Sequence, residues 1–161
     1  MRKTLHYFLS RQKCDDIYLL HCDMWGFETK CNLINCGVQE SNMVNIAAGL
    51  ASQGKKVIIY GVAGFVIYKA YEQIKFNIKG FAENFGSIIF VNAGHNGCYS
   101  VAGRGHLIDD DEQLCKALGI PMYSPFDRKT FIKNVLEGIQ KKGVRFIRLG
   151  WDNVEWKIEK F

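Results

Sequence analysis

Short apolar runs alternate along this chain with amphipathic stretches. The apolar runs are rich in Val, Ile, Leu and Phe and are bounded by turn residues, which predicts β-strands. The predicted strands cover residues 16–21, 33–36, 56–60, 87–93, 122–124 and 144–149. The amphipathic stretches predict helices over residues 1–13, 39–53, 62–78, 109–118 and 127–141. Because the strand segments do not alternate between apolar and polar residues, we expect the strands to be buried on both faces.

Strand and helix alternate throughout, which predicts an α/β fold. We expect a three-layer parallel sheet of about six strands with helices on both faces. Residues 1–150 form this predicted domain, and the tail 151–161 has no clear element. Ligands of such sheets bind at the carboxyl ends of strands, so the loops after the second, third and fourth strands are the candidates for chemistry.

Composition narrows the class of protein. A chain of 161 residues with 48% apolar and 23% charged residues suits one globular domain, and its 2 prolines exclude low-complexity and disordered classes. The formal charge of +5 is scattered and forms no basic face, so we expect no nucleic acid partner. No signal peptide or membrane-spanning run is visible, and we expect a cytoplasmic protein that binds no membrane.

The chain has 6 cysteines, none of them in a C-x-x-C pair. In a cytosolic protein this pattern predicts reduced, partly buried thiols. A zinc site is the weaker alternative, because paired short spacings are missing.

The loop after the second strand carries Glu40 at the start of a helix rich in small residues. Two interpretations of Glu40 stay open at this point: a charge that the helix dipole favours, or a buried carboxyl that can donate or accept a proton. Since the helix is apolar nearly all round, we expect residues 42–51 to be buried against another chain.

Residues 37–51, GVQESNMVNIAAGLA, resemble the GxxEQNMxxxAAGLA segment in the pyrimidine-binding domain of transketolase-like enzymes. Further segments resemble the same family in the same order from about residue 1 to 150. They are YGVAGF (60–65), AYEQIK (70–75), GRGH (103–106) followed by Asp110 and Asp111, PFD (125–127) and FIRL (146–149).

This resemblance implies thiamine diphosphate as the cofactor, with Mg²⁺. It implies that Glu40 hydrogen-bonds N1′ of the aminopyrimidine ring, which activates the cofactor. Phe65 falls where the family has an aromatic residue stacked on that ring, and Tyr68 lies one turn further on. Asp23 matches an aspartate that faces the cofactor across the interface between domains.

The resemblance also implies substrate contacts in the glycine-rich loop after the fourth strand. His106 would contact the substrate's carbonyl or hydroxyl oxygens, and with Glu40 it forms the implied catalytic pair. His95 lies close to a second family histidine. Arg104 replaces a small residue and suits an anionic group. Ala102 stands where the family has an acidic residue that contacts a sugar hydroxyl. A lone loop histidine is also compatible with an ordinary surface position.

The family holds the diphosphate and Mg²⁺ through a Gly-Asp-Gly motif in a second domain, and this sequence contains no Gly-Asp-Gly. We therefore expect half of a split transketolase-like enzyme, with the metal held by a partner subunit in an α2β2 heterotetramer. The expected reaction is two-carbon ketol transfer from a small ketose-like donor. The alternatives are a two-chain 2-oxo acid decarboxylase of the same cofactor class and a non-catalytic regulatory subunit. A nucleotide-binding domain is disfavoured, because no glycine-rich loop follows the first strand.

Overall fold

The computed structural model describes residues 2–11, 14–24, 29–95 and 99–150. Within these ranges six strands form one sheet in the order β2-β1-β3-β4-β6-β5, and every neighbouring pair is parallel. The strands are β1 (Ile17–His21), β2 (Asn32–Asn35), β3 (Lys56–Val62), β4 (Ser87–His95), β5 (Met122–Tyr123) and β6 (Gly143–Gly150). The predicted parallel α/β fold is confirmed.

The helices of the described ranges lie on both faces of this sheet. They are α1 (Arg2–Arg11), α2 (Glu40–Ser52), α3 (Ala63–Lys69), α4 (Tyr71–Gln73), α5 (Asp111–Leu118) and α6 (Arg128–Gln140). Shorter turns are π-helical over Ile74–Lys79 and 3₁₀-helical over Ala82–Asn84, Ser100–Ala102 and Arg104–His106. No helix in these ranges has the length and apolarity needed to cross a bilayer.

Two hydrophobic cores sandwich the sheet. Ile59 and Phe90 belong to the core under α2, α3 and α5, whereas their neighbours Ile58 and Ile89 belong to the core under α1 and α6. Successive strand residues point to opposite faces, so a strand that serves both cores must be apolar at every position. This explains the continuous apolar runs of β3 and β4.

β2 departs from the expectation that all strands are buried on both faces. Asn32, Leu33 and Asn35 are exposed, and only Ile34 is half-buried. The reason is the position of β2 at the edge of the sheet, beside β1 alone. An edge strand has one strand neighbour and little cover from helices, which the short apolar run could not reveal.

The helix predicted over residues 62–78 is interrupted. α3 ends at Lys69, Ala70 has φ −108° and ψ 17°, and the chain resumes as α4 and a π-helical turn. The hydroxyl of Ser41 donates a hydrogen bond of 2.7 Å to the backbone carbonyl of Lys69. A tertiary contact from the start of α2 thus satisfies a carbonyl at the end of α3, and helix periodicity carries no sign of such a contact.

The prediction that all cysteines are reduced is wrong for one pair. Cys14 and Cys31 form a disulfide, with their Cα atoms 4.5 Å apart. They are brought together because Cys14 precedes β1 and Cys31 precedes β2, and these strands pair in parallel with Tyr18 opposite Asn32. Cys22, Cys36 and Cys115 are free thiols, and burial raises the pKa of Cys22 to about 11 and that of Cys115 to about 12. Cys98 lies outside the described residues.

α2 buries its small residues inside its own chain. Ala47, Ala48 and Ala51 belong to the core under α2, and Ala48 is 7% exposed. The expected burial of residues 42–51 against another chain is therefore wrong for this alanine face. Asn42, Asn45 and Gly49 form the outward face of the helix. The predicted helical residues 1, 12 and 13 and the tail 151–161 lie outside the described residues.

Candidate functional site

The candidate site lies at the carboxyl edge of the sheet, beside the point where the strand order reverses. From β1 the chain passes to β2 on one side, and it returns through α2 to β3 on the other side. Crevices of parallel sheets open at such points, and helices begin there. The loops after β2, β3 and β4 reach this edge together, as the sequence predicts.

Glu40 is the first residue of α2 and is buried, with a side chain that is 6% exposed. A carboxylate at a helix start is favoured by the helix dipole. Its Oε2 atom lies 3.1 Å from Nζ of Lys69, at the end of α3. Glu40 is thus a sheltered carboxylate that a lysine neutralises.

Lys69 joins Glu40 to an aromatic pair. Its Nζ atom lies 4.8 Å from the centre of the Phe65 ring, and the Phe65 ring meets the His106 ring edge-on at 4.8 Å between centroids. We call the surface formed by Glu40, Phe65, Lys69 and His106 the Glu40 cleft. Three of the residues that the sequence resemblance singled out therefore lie together, and Lys69, which contacts two of them, was not predicted.

A local signal for Lys69 exists in the sequence. Phe65 and Lys69 are four residues apart in α3, a spacing that places side chains on one face of a helix. The pairing of Lys69 with Glu40 spans 29 residues of sequence and has no such signal.

His106 is held at the cleft by the close approach of its loop to β4. It ends the 3₁₀ turn Arg104–His106. Gly94 of β4 has φ +131°, and a Cβ atom there would lie 3.3 Å from the carbonyl oxygen of His106. Glycine at this position therefore permits both the backbone conformation and the packing of the loop.

Two neighbouring cavities open along the Glu40 cleft. One of about 440 Å³ is lined by Glu40, Ser41, Asn45 and Lys69, among others. The other, of about 430 Å³, has Phe65 and Lys69 in its wall. Because Lys69 belongs to both walls, its side chain separates the carboxylate from the aromatic ring.

Tyr68 and Arg104 line the Phe65 cavity. The Tyr68 hydroxyl donates a hydrogen bond to the Asp110 carboxylate, and partial burial together with this bond raises the pKa of Tyr68 to about 12. Arg104 is exposed. The structure thus places both residues near Phe65, and their implied roles stay predictions.

His95 lies in a different cleft. Its Nε2 atom is 3.3 Å from Nη1 of Arg148, whose guanidinium binds both carboxylate oxygens of the fully buried Asp111. The hydrogen bonds and charge of Asp111 raise the pKa of Arg148 above its usual value. We call this group of Asp111, Arg148 and His95 the Asp111 cleft; His95 and Arg148 line a cavity of about 390 Å³. His95 lines neither cavity of the Glu40 cleft.

Asp23 follows β1 and is exposed, with φ +48°. Its Oδ1 atom accepts a hydrogen bond of 3.1 Å from the Asn35 amide. Oδ1 of Asn35 in turn accepts from the backbone N–H groups of Asp23 and Gly37 at 3.1 and 3.0 Å. Asp23 therefore ties the loop after β1 to the loop before α2, and it lines neither cavity of the Glu40 cleft. The bridging Asn35 was not predicted.

Within the described ranges, no group of three or more His, Cys, Asp or Glu side chains could hold a metal ion. The weaker zinc alternative thus has no ligand cluster in this part of the chain.

No family model matches this chain. A curated relative is a subunit of the apulose-4-phosphate transketolase of Phocaeicola vulgatus, which is 34% identical over 79 residues, covering 49% of this chain and 24% of the relative. A solved structure of a split gene transketolase, an inactive beta4 tetramer, matches with a TM-score of 0.75 and 22% identity. That match covers 92% of this chain and 50% of the solved chain.

Both comparisons are with transketolases, the class of enzyme that the sequence segments resemble. This chain spans about half the length of these relatives or less. Its likeness to the solved structure establishes the fold, and its likeness to the Phocaeicola vulgatus protein is one of sequence. The chain is therefore similar in sequence to part of a transketolase subunit and similar in fold to a split-gene transketolase.

Proposed function

We propose that this chain is the pyrimidine-binding subunit of a split, thiamine-diphosphate-dependent transketolase-like transferase. The observation that carries the proposal is the convergence of Glu40, Phe65 and His106 on one cleft. Lys69 contacts both Glu40 and Phe65, and the Phe65 ring contacts His106. A non-catalytic subunit would need none of these three side chains at one place.

The residues of the Glu40 cleft fit the aminopyrimidine end of the cofactor. Glu40 is a buried carboxylate that faces a half-exposed lysine. Phe65 offers an aromatic face for stacking, which supplies apolar contact and orientation. In this proposal Glu40 holds a proton shared with N1′, Phe65 orients the ring, and His106 exchanges a proton with a substrate oxygen. When bound, the cofactor supplies the carbon nucleophile that is needed to cleave a carbon–carbon bond beside a ketone.

The diphosphate end has no matching residues in the described ranges. Mg²⁺ requires oxygen ligands, and neither a Gly-Asp-Gly motif nor a cluster of metal-binding side chains is present there. A second chain that holds Mg²⁺ and the diphosphate would complete the site. The relatives support this interpretation, since one is a transketolase subunit and the other comes from a split gene. We propose an α2β2 heterotetramer. A cytoplasmic location stays a prediction.

The proposed reaction is two-carbon ketol transfer from a small ketose-like donor. The relative's name includes a sugar phosphate, apulose-4-phosphate. Arg104 lines the Phe65 cavity and is a cation suited to an anionic group on such a substrate.

The experiment compares the chain alone with the chain purified together with a partner that carries Gly-Asp-Gly. For the chain alone, isothermal titration with thiamine diphosphate and Mg²⁺ should show weak binding, and a ketol-transfer assay should show no turnover. Tight binding and ketol transfer should appear only in the complex. Micromolar or tighter cofactor binding by the chain alone would contradict the split site.

A further inference from the structure

We propose that Lys69 is a displaceable cation that occupies the pyrimidine position of the Glu40 cleft, and that a ring binds there only after the Lys69 side chain moves to solvent. This inference rests on the proposed function. It assigns to Lys69 a regulatory role that neither the motif resemblance nor the comparisons suggest.

The first argument is the position of the ammonium group. Nζ of Lys69 lies 3.1 Å from Oε2 of Glu40 and 4.8 Å from the centre of the Phe65 ring, over its face. A pyrimidine that hydrogen-bonds the carboxylate and stacks on Phe65 must place its own atoms between the same two groups. Non-bonded carbon atoms pack at about 3.5–4.0 Å, so the end of the Lys69 side chain and a ring cannot share this space.

The second argument is the shape of the cleft. Lys69 lines both the cavity that contains Glu40 and the cavity that contains Phe65. Moving this one side chain joins the two cavities, and a single flat ring can then contact the carboxylate and the aromatic face together.

The third argument is that the side chain is free to move while its backbone is held. The Lys69 side chain is 49% exposed, whereas the Glu40 side chain is 6% exposed. The hydrogen bond from Ser41 fixes the Lys69 carbonyl at 2.7 Å. An ion pair with a half-exposed lysine is partly screened by water, so exchanging it for a ligand contact costs little.

The consequence is that the Glu40 carboxylate keeps a charge partner when no ring is bound. A buried carboxylate without a partner is unfavourable, and Lys69 neutralises Glu40 until a ring replaces it. Lys75 offers a matched comparison: it also lies over an aromatic ring, with Nζ 5.7 Å from the centre of Phe76, but it is exposed and pairs with no carboxylate among the described residues.

The test measures how fast the amine of Lys69 is acetylated by N-hydroxysuccinimide acetate in the full chain, read by peptide mass spectrometry. The probe is 4-amino-5-hydroxymethyl-2-methylpyrimidine, a neutral aminopyrimidine. Binding of the probe should accelerate acetylation of Lys69, because the amine leaves Glu40 for solvent, and should leave Lys75 unchanged. A bound ring that merely touched Lys69 would slow its acetylation.

Amide chemical shifts near Phe65 and His106 report probe binding independently. Lys69→Met should tighten probe binding by about tenfold or less, the scale of a partly exposed ion pair, and Lys75→Met should not change it.

If the probe binds and acetylation of Lys69 is slower or unchanged, Lys69 is not displaced, although the proposed pyrimidine site stands. Weaker probe binding by Lys69→Met than by the wild type would lead to the same conclusion. Since weak binding by the chain alone is expected, the probe is added up to its solubility limit. Absence of probe-dependent shifts at that concentration in both wild type and Lys69→Met overturns the proposed pyrimidine site itself. The acetylation measurement needs no variant, so it decides the question even if Lys69→Met fails to fold.

Discussion

The Glu40 cleft and the Asp111 cleft use the same elements in different ways. Each has a buried carboxylate as the first residue of a helix, at the carboxyl edge of the sheet, and each carboxylate faces one cation. The Glu40 side chain is 6% exposed and its Lys69 partner 49%, whereas the Asp111 side chain is 0% exposed and its Arg148 partner 11%.

The identity of the cation explains the difference. Arg148 binds Asp111 through two nitrogens, and a planar guanidinium held in this way uses all the hydrogen-bonding capacity of the carboxylate edge it faces. Lys69 makes one contact through a flexible stem. Asp111 is therefore held by several contacts from a largely buried cation, whereas Glu40 is held by one contact from a half-exposed cation.

The largest expected effect is on turnover. In the complex with the proposed partner, Glu40→Gln should lower the rate by about 10²–10⁴-fold, the usual scale for removing a positioned acid–base group. It should change the free energy of unfolding by less than about 1 kcal/mol, because the ion pair it removes is partly exposed. The measurements are steady-state ketol transfer and hydrogen–deuterium exchange at cofactor C2, followed by NMR.

Glu83→Gln is the matched control for this variant. Glu83 also pairs with a lysine, Lys79, at 2.6 Å, but it does not line the Glu40 cleft. Its turnover should equal that of the wild type. If Glu40→Gln keeps wild-type exchange at C2, Glu40 is only a helix-start charge and takes no part in catalysis.

The next effect is on stability. Arg148→Met should lower the free energy of unfolding by about 3 kcal/mol, because it leaves the Asp111 carboxylate buried without its cation. Urea unfolding followed by tryptophan or tyrosine fluorescence measures this loss.

The double variant Asp111→Asn with Arg148→Met tests the origin of that loss. It should recover a large part of the stability, since no charge is then left unpaired in the cleft. A loss below about 1 kcal/mol for Arg148→Met alone would place the Asp111 pair among ordinary surface ion pairs and would remove the contrast between the two clefts.

The smallest effect concerns Tyr68, whose hydroxyl links the Phe65 cavity to Asp110 beside the Asp111 cleft. Its pKa is raised to about 12 in the folded chain, above the unfolded value of about 10. Burial and the hydrogen bond to Asp110 both disfavour the charged tyrosinate in the folded chain. Their effect on stability is therefore constant below a pH of about 10, and the free energy of unfolding falls as the pH rises from about 10 to 12.

Tyr68→Phe should remove one late step from the spectrophotometric titration of tyrosinate, and it should make the unfolding free energy less dependent on pH in that range. An unchanged late step would show that Tyr68 titrates as an ordinary exposed tyrosine. Phenylalanine keeps the ring beside Phe65, so the variant isolates the hydroxyl.

Several properties follow from local sequence. Apolar runs of strand length between amphipathic segments predict a parallel α/β sheet, because a doubly covered strand must be apolar at every position. Gly54 ends α2 with φ +75°, and Asp127 caps α6 by accepting from the Thr130 N–H at 2.7 Å, since turns and caps depend on neighbouring residues. The segments around Glu40, Phe65 and His106 likewise carry the resemblance to transketolases. Their positions after strands predict that these residues lie at the carboxyl edge of the sheet.

Other properties are decided only by the tertiary structure. The exposure of β2 depends on which strand lies at the edge, and the Cys14–Cys31 disulfide depends on the parallel start of β1 and β2. Lys69 reaches Glu40 across 29 residues and Arg148 reaches Asp111 across 37. Hydrophobic periodicity reports whether a side chain faces a core, but it carries no information on which distant charge it meets. The strand order makes those pairings, and it gives one buried carboxylate a half-exposed lysine partner and the other a largely buried arginine partner.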